Sequence, residues 1–178
     1  MSWKKIKTET VHTNPFWVYR HTTFEIPNCP ETGEFYHVDT RGSVMIIPIF
    51  SDGRIGLVRT YRCLFDRYSL EFPGGGVEEG QTFEQAAKAE LQQETGLIAR
   101  EMINAAEFTP FNGVCTEICR VFLARGLSQV AIGNNNPKEE VELATRRLDE
   151  IEDLIRRNEI WDGQTLAAWA IVRPLLIS

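Results

Sequence analysis

Runs of apolar residues, and changes in their spacing, divide the chain into a series of short strands and helices. Residues 44–50 are apolar without interruption, which is typical of a strand buried on both faces. Asp52 and Gly53 then form a hairpin turn signal, and residues 54–62 return as a second strand. A short strand follows at residues 68–72. This part of the chain therefore predicts a sheet built around one buried strand.

A helix is predicted after the glycine run at residues 74–76. The run itself is not expected to form ordinary strand, because glycine permits backbone conformations that other residues avoid. Thr82 and Gln85 have the spacing of a capping box, which starts a helix, and Gly96 is typical of a residue that ends one. The helical periodicity predicts a core face with Phe83, Ala87 and Leu91 and a second face with Ala86, Glu90, Gln93 and Glu94.

The rest of the pattern adds short strands and two more helices. Strands are predicted at residues 16–26, 34–40, 102–109, 116–124 and 141–147, and a helix at 149–158. A final helix starts near Asp162 or Thr165 and is expected to turn Leu166, Ala167, Ala170 and Ile171 inward. Because strands and helices alternate without strict βαβ order, the sequence predicts an α/β fold with a mixed sheet between helix layers.

Composition and charge narrow the classes of partner. The 178 residues suit one domain, or one domain with a small appendage, and 43% of them are hydrophobic, which is enough for a core. A net charge of −6 argues against nucleic acid or an anionic membrane as the main partner. The four cysteines are irregularly spaced, as in reduced thiols. With no signal-peptide pattern and no apolar run that could cross a bilayer, we expect a cytoplasmic protein.

Glu90 and Glu94 carry the most informative chemistry in the chain. They lie one turn apart on the same predicted helix, where like charges repel by a few tenths of a kcal/mol. Ala86, Ala87 and Gln93 hold the positions that could relieve this repulsion, and none of them is basic. Two carboxylates beside a glycine-rich turn therefore predict a site for a hard divalent cation such as Mg²⁺.

The segment 71–97 resembles the box motif of the Nudix hydrolases, whose pattern is Gly, five residues, Glu, seven residues, then Arg-Glu-apolar-any-Glu-Glu-any-Gly-apolar. The positions that match are Gly75, Glu90, Leu91, Glu94, Gly96 and Leu97. Three positions depart from the pattern: Gln81 and Gln93 replace glutamates, and Ala89 replaces the arginine. The resemblance implies the family's fold, and the departures predict weaker metal binding.

Other segments resemble the ADP-ribose pyrophosphatase branch of this family, which also hydrolyses other nucleoside diphosphate sugars. They are residues 14–20, the Tyr61-Arg62 pair before Glu71, and residues 160–168. The resemblance implies an α/β/α sandwich with a mixed sheet at residues 43–178, preceded by an N-terminal β-subdomain at residues 1–42. In this branch the subdomain is commonly exchanged between the halves of a homodimer, so a homodimer is expected.

The resemblance also implies roles for individual residues. Metal ligands, for Mg²⁺ or alternatively Mn²⁺, would be Glu90, Glu94, the backbone of Gly74 and the amide of Gln93. The residue that activates water would be Glu139 or Glu140, in a polar loop, and Glu90 and Glu94 would complete the catalytic set. The substrate would be bound by Arg62, Glu71, Arg41, Trp17 and Glu117.

The function implied is Mg²⁺-dependent hydrolysis of the diphosphate in ADP-ribose or a related nucleoside diphosphate sugar, giving a nucleoside monophosphate and a sugar phosphate. Two alternatives stay open. The altered box is compatible with a nucleotide-binding protein that has lost turnover. The chain is also compatible with a Nudix hydrolase for a different nucleoside diphosphate derivative.

Overall fold

The structure, a computed structural model, describes residues 2–130 and 141–176. The chain divides into two compact units. The first consists of the chain up to Gly42 together with Thr109–Ile118, and the second consists of Ser43–Phe108 and the chain from Cys119 onward. None of the described helices is long and apolar enough to cross a bilayer. All four cysteines lie in the described part and are free thiols.

The described residues form ten strands and three α-helices. The strands are β1 (Lys4–Thr13), β2 (Val18–Glu25), β3 (Thr32–Asp39), β4 (Ser43–Pro48), β5 (Ile55–Arg62), β6 (Arg67–Glu71), β7 (Gly74–Gly76), β8 (Leu97–Phe108), β9 (Cys119–Gln129) and β10 (Val141–Arg146). The helices are α1 (Phe83–Thr95), α2 (Leu148–Arg156) and α3 (Gly163–Leu176), and a single 3-10 turn occupies Cys63–Phe65.

The first unit is an antiparallel sheet in the order β1-β2-β3. Strand β1 was not predicted, because its Lys-, Thr- and Glu-rich sequence is exposed along its whole length and has no apolar face to reveal it. Trp3, Phe24 and Phe35 pack edge to face beside this sheet, with ring centroids 5.7–6.2 Å apart. Residues 109–118 join the unit through backbone hydrogen bonds, including one from the Val38 N–H to the Val114 carbonyl at 2.8 Å.

The second unit is the predicted α/β/α sandwich. Its four-stranded sheet has the order β7-β4-β9-β8, in which β4 and β9 are parallel and the other pairs are antiparallel. Along β4, Val44 and Ile46 pack with residues of α1, whereas Met45 and Ile47 pack with residues of α2 and α3. The uninterrupted apolar run therefore reflects a strand covered on both faces, as predicted. A second, antiparallel sheet has the order β10-β5-β6.

Helix α1 begins and ends as the sequence predicted. The Gln85 N–H donates to Thr82 Oγ1 at 3.2 Å, and the Thr82 N–H donates to Gln85 Oε1 at 2.8 Å, which completes the capping box. Gly96 ends the helix in the left-handed region at φ 66°. One assignment was wrong: Ala86 lies in the core with Ala87 and Leu91 rather than on the face of the glutamates.

The inward face of α3 also differs from the prediction. Thr165, Ala168, Trp169 and Val172 are the buried residues, whereas Ala170 is exposed. Leu166 and Ile171 pack only partly against the same core. The helix is apolar on most sides, so periodicity alone could not fix its rotation, and the large Trp169 side chain takes the core position.

Candidate active site

The glycine run forms a short strand instead of the irregular turn that we predicted. Strand β7 pairs antiparallel with β4, with Met45 opposite Gly74 and Val44 opposite Gly75. A side chain at either of the first two glycines would meet neighbouring atoms, which are backbone at Gly74 and the end of a side chain at Gly75. A Cβ on Gly74 would lie 2.3 Å from the Val44 carbonyl oxygen, and a Cβ on Gly75 would lie 2.2 Å from Glu90 Oε1. The glycines thus permit close approach between this strand and helix α1.

Glu90 and Glu94 converge on the backbone of β7. The Gly74 N–H donates a hydrogen bond of 2.9 Å to Glu94 Oε2. The Glu90 carboxylate lies against Gly75, the next residue of the strand. Both glutamates are partly exposed. Helix spacing and the glycine strand therefore bring two carboxylates to one place.

The donor set fits a hard divalent ion that keeps part of its water shell. Among residues 2–130 and 141–176, no three His, Cys, Asp or Glu side chains form a group able to hold a metal. Mg²⁺ typically takes one or two protein carboxylates and completes its shell with water and substrate phosphates. Two glutamates meet that requirement. Gln93 is exposed, and its amide offers an oxygen without charge.

Gln81 has a structural contact at the position where the box pattern has glutamate. The Glu78 N–H donates to Gln81 Oε1 at 3.1 Å, and Gln81 Nε2 donates to Glu78 Oε2 at 3.4 Å. These bonds fix the turn that leads into α1. The sequence showed that a carboxylate was replaced there, but it did not show what the amide contacts.

Arg62 and Glu71, both predicted to bind substrate, form an ion pair with each other. Arg62 Nε donates to Glu71 Oε1 at 2.8 Å, and Nη2 donates to Glu71 Oε2. The Glu71 side chain is only 6% exposed, whereas that of Arg62 is 52% exposed. The hydrogen bonds that Arg62 donates to Glu71, together with the charges of Glu71, Asp162 and Glu94, raise the pKa of Arg62 against the opposing effect of burial. Arg62 thus places a permanent positive charge within electrostatic reach of Glu94.

Asp162 and Thr165 support the site without having been predicted as site residues. The Thr165 N–H donates to Asp162 Oδ2 at 2.7 Å, at the start of α3. The buried Thr165 hydroxyl accepts a hydrogen bond of 3.2 Å from the Phe72 N–H, just before the glycine strand. The Asp-x-x-Thr spacing was a recognisable capping signal, but the bond to Phe72 spans 93 residues and leaves no local signature.

Five further predicted site residues belong to the first unit or to the part of the chain that the structure does not describe. Arg41, Trp17 and Glu117 belong to the first unit. Arg41 Nη1 donates to the Pro15 carbonyl at 3.5 Å, and the Trp17 N–H donates to Asn14 Oδ1 at 3.0 Å. Glu117 is partly buried. The two loop glutamates predicted to activate water, Glu139 and Glu140, lie outside the described residues.

A match to a protein-family model identifies this fold. The model of the NUDIX domain matches residues 39–169, which is more than half of the chain and includes the glycine strand and α1. The chain belongs to the Nudix family. The altered box is thus a variant of the Nudix box.

Known proteins resemble this Nudix chain over most of its length. The methanol dehydrogenase activator of Bacillus methanolicus is 30% identical over 166 residues, which cover 93% of this chain and 89% of that protein. The ADP-ribose pyrophosphatase of Bacillus subtilis (strain 168) is 30% identical over 128 residues, covering 71% and 69%. The crystal structure of an ADP compounds hydrolase matches with a TM-score of 0.86 at 21% identity, covering 99% of this chain and 95% of that one. At that identity the likeness shows the fold.

Proposed function

We propose that this protein hydrolyses the diphosphate of ADP-ribose or a related nucleoside diphosphate sugar in a metal-dependent reaction. The products would be a nucleoside monophosphate and a sugar phosphate. The observation that carries the proposal is the convergence of the Glu90 and Glu94 carboxylates on the backbone of β7. The names of the Bacillus subtilis relative and of the crystallised hydrolase support the choice of ADP compounds.

Glu90 and Glu94 would hold the metal, Mg²⁺ or Mn²⁺. The Gly74 carbonyl is a further ligand in this proposal, since the N–H and C=O groups of one strand residue point to the same side and the Gly74 N–H points to Glu94. Gln93 would contribute an uncharged oxygen. When bound, the ion would neutralise negative charge that develops on the phosphate oxygens.

The protein's own groups bind and orient the substrate. Arg62 keeps its charge at any accessible pH and supplies donors to phosphate or ribose beside Glu94. Glu71 fixes the plane of the Arg62 guanidinium through their bidentate ion pair and contributes to the same part of the substrate site. Arg41, Trp17 and Glu117 are the proposed contacts from the first unit. Glu139 or Glu140 would accept the proton of the attacking water as its oxygen bonds to phosphorus and the bridging P–O bond breaks.

One experiment tests whether the protein hydrolyses nucleoside diphosphate sugars. Purified protein is incubated with Mg²⁺ and, in turn, ADP-ribose, ADP-glucose and GDP-mannose, and release of the monophosphate is measured. We expect turnover that Glu94→Gln abolishes. The matched control is Glu84→Gln on the same helix, because Glu84 is exposed and pairs with Lys88 instead of approaching β7. Equal loss in both variants, or full activity in Glu94→Gln, would contradict the proposed site.

A second candidate function is nucleotide binding without turnover. It is favoured by Gln81, Ala89 and Gln93, and by the finding that no third acidic ligand joins Glu90 and Glu94 in the described part of the chain. Each missing outer ligand can weaken metal affinity roughly 10–100-fold. Saturable binding of ADP-ribose with no monophosphate release would support this function over hydrolysis.

Restoring the box tests whether its departures limit the rate. Ala89→Arg with Gln93→Glu returns the cation and the carboxylate of the family pattern. A rise in turnover would show that these two positions slow the enzyme. Unchanged turnover would show that the site works without them, with Arg62 already supplying positive charge near Glu94.

A further inference from the structure

A pocket lined by three arginines and two aromatic rings lies beside the sheet β10-β5-β6. Its volume is about 450 Å³, within the usual range of small-molecule sites. Arg59, Arg67 and Arg146 line it together with Tyr68 and Trp161. In a protein of net charge −6, such a concentration of guanidinium groups is unexpected for a simple solvated surface.

The aromatic rings hold two of these arginines in fixed orientations. The Arg59 guanidinium carbon lies 3.4 Å from the Tyr68 ring centroid, and that of Arg67 lies 3.8 Å from the Trp161 ring centroid. The rings are joined, because Trp161 Nε1 donates to the Tyr68 carbonyl at 3.4 Å. A stacked guanidinium keeps its N–H donors in its own plane, where they match the oxygens of phosphate or carboxylate.

Positive charge prevails in the pocket. Glu142 Oε2 lies 4.0 Å from Arg59 Nη1, which is too far for a hydrogen bond. Glu159 Oε1 is already paired with Arg157 Nε at 3.1 Å. In the described part of the chain neither Arg67 nor Arg146 lies within ion-pair distance of a carboxylate. The lining therefore lacks enough negative charge to balance its guanidinium groups.

The pocket is separate from the proposed hydrolytic site, because its lining includes none of Arg62, Glu71, Glu90 and Glu94. Side chains alternate between the faces of a strand, so residues three apart point to opposite faces. Arg59 of β5 thus faces away from Arg62, and Tyr68 of β6 faces away from Glu71. Arg67 pairs with Arg62 in the register and shares its face, but it is the first residue of β6 and its guanidinium stacks on Trp161.

We propose that this pocket binds a small ligand through a phosphomonoester group. Such a group carries close to two negative charges and three acceptor oxygens, which suits three guanidinium groups better than a carboxylate does. Tyr68, Trp161 and Leu154 supply apolar surface for the organic part of the ligand. This second site goes beyond the proposed hydrolase activity and does not depend on it.

The test uses inorganic phosphate as the probe and the Trp161 indole N–H as the reporter. The full-length protein is titrated in EDTA buffer at constant ionic strength, so that metal does not recruit phosphate to Glu90 and Glu94, and ¹H–¹⁵N spectra are recorded. We expect a saturable shift of the Trp161 signal, assigned with Trp161→Phe, and none for the buried Trp169. Acetate is expected to give a much smaller shift.

Variants decide whether the arginines cause that shift. Arg59→Gln and Arg67→Gln are each expected to weaken phosphate affinity about tenfold or more, because each variant loses a hydrogen bond to a charged group. Arg100→Gln is the matched control, because Arg100 is an 80% exposed arginine on β8. An unchanged Trp169 signal verifies the fold. Absence of saturation, equal affinity in all variants, or an equal response to acetate would overturn the proposal.

Discussion

Gly75 is the residue at which a one-carbon change tests the site most directly. A Cβ there would lie 2.2 Å from Glu90 Oε1, whereas a Cβ on Gly76 would meet nothing within 4 Å. Because Glu90 meets Gly75 with the end of a flexible side chain, Gly75→Ala should displace that carboxylate and leave the fold intact. We expect Mg²⁺ affinity and kcat/KM to fall roughly 10–100-fold, by analogy with other lost metal-site contacts.

The neighbouring glycine supplies the control for this prediction. Gly76→Ala adds the same methyl group to the same strand and should keep Mg²⁺ affinity, measured by calorimetry, near that of the unmodified protein. Equal effects of the two substitutions would mean that the position of the Glu90 carboxylate is not what matters. Loss of folding in Gly75→Ala, seen as a lower Tm, would mean that the side chain cannot move away.

The Arg62–Glu71 pair is predicted to contribute to stability as well as to substrate binding. Glu71 is a buried carboxylate, so removing Arg62 leaves it without its charged partner. Because half of the Arg62 side chain is exposed, water replaces part of that interaction. A double-mutant cycle with Arg62→Gln and Glu71→Gln, followed by urea unfolding, should give a coupling free energy of about 1–3 kcal/mol. A coupling near zero would show that the pair is structurally neutral.

Single residues also show how far the sequence could specify the site. Glu90 and Glu94 were predictable because four-residue spacing on a helix fixes a common face, and the Thr82–Gln85 box fixes where that helix begins. Ala86 was misplaced because alanine is small enough for either face. The bond from Phe72 to Thr165 was not predictable, since it joins positions that are close only in the folded chain.

Among the elements, helix α1 contains Glu90 and Glu94, and the contribution of its N-terminal cap to stability can be measured. Thr82→Ala removes the hydroxyl that accepts from the Gln85 N–H and should lower the free energy of unfolding by about 1 kcal/mol. Thr82→Ser retains the hydroxyl and should stay close to the unmodified protein in the same denaturant titration. If both variants lose the same free energy, the methyl group of Thr82 is what stabilises the helix.

The first turn of α2 should respond to acid. Arg147 donates two hydrogen bonds to Asp149, at 3.0 and 2.9 Å, and these bonds lower the pKa of that carboxyl. A lowered pKa in the folded state stabilises the fold above the carboxyl's ordinary pKa, and this contribution is lost as the pH falls through the lower, folded value. A ¹³C titration of the carboxyl should show the depression, and Arg147→Gln should remove it. An ordinary pKa in the unmodified protein would contradict the pairing.

Prediction of the elements failed where their signal was polar or ambiguous. Strand β1 is rich in lysine and threonine, and its two aliphatic residues, Ile6 and Val11, are an odd number of positions apart, so no alternating apolar face marked it as a strand. Strand β7 contains only glycine, which has low intrinsic strand preference, and it exists because β4 and the glutamates of α1 lie against it. The uninterrupted apolar strand β4 was predictable because burial on both faces leaves one clear pattern.

For the whole molecule, alternation of strands and helices predicted a mixed sheet between helix layers, and the second unit has that arrangement. The membership of Thr109–Ile118 in the first unit was not foreseeable, because backbone bonds to Val38 on a distant strand place it there. Such pairings depend on tertiary structure and have no composition signal.

We predict that the protein is a homodimer formed through residues 1–42. In that part of the chain Val11 is 52% exposed and Phe16 is 80% exposed, and exposed apolar side chains of this kind are candidates for an interaction surface. Sedimentation velocity should give twice the mass of the 178-residue chain.

Val11→Asp with Phe16→Asp should yield the monomer, because two buried charges oppose association. Ile98→Asp, at a 43% exposed position on β8, is the control and should remain dimeric. A monomer at all concentrations of the unmodified protein would contradict the prediction.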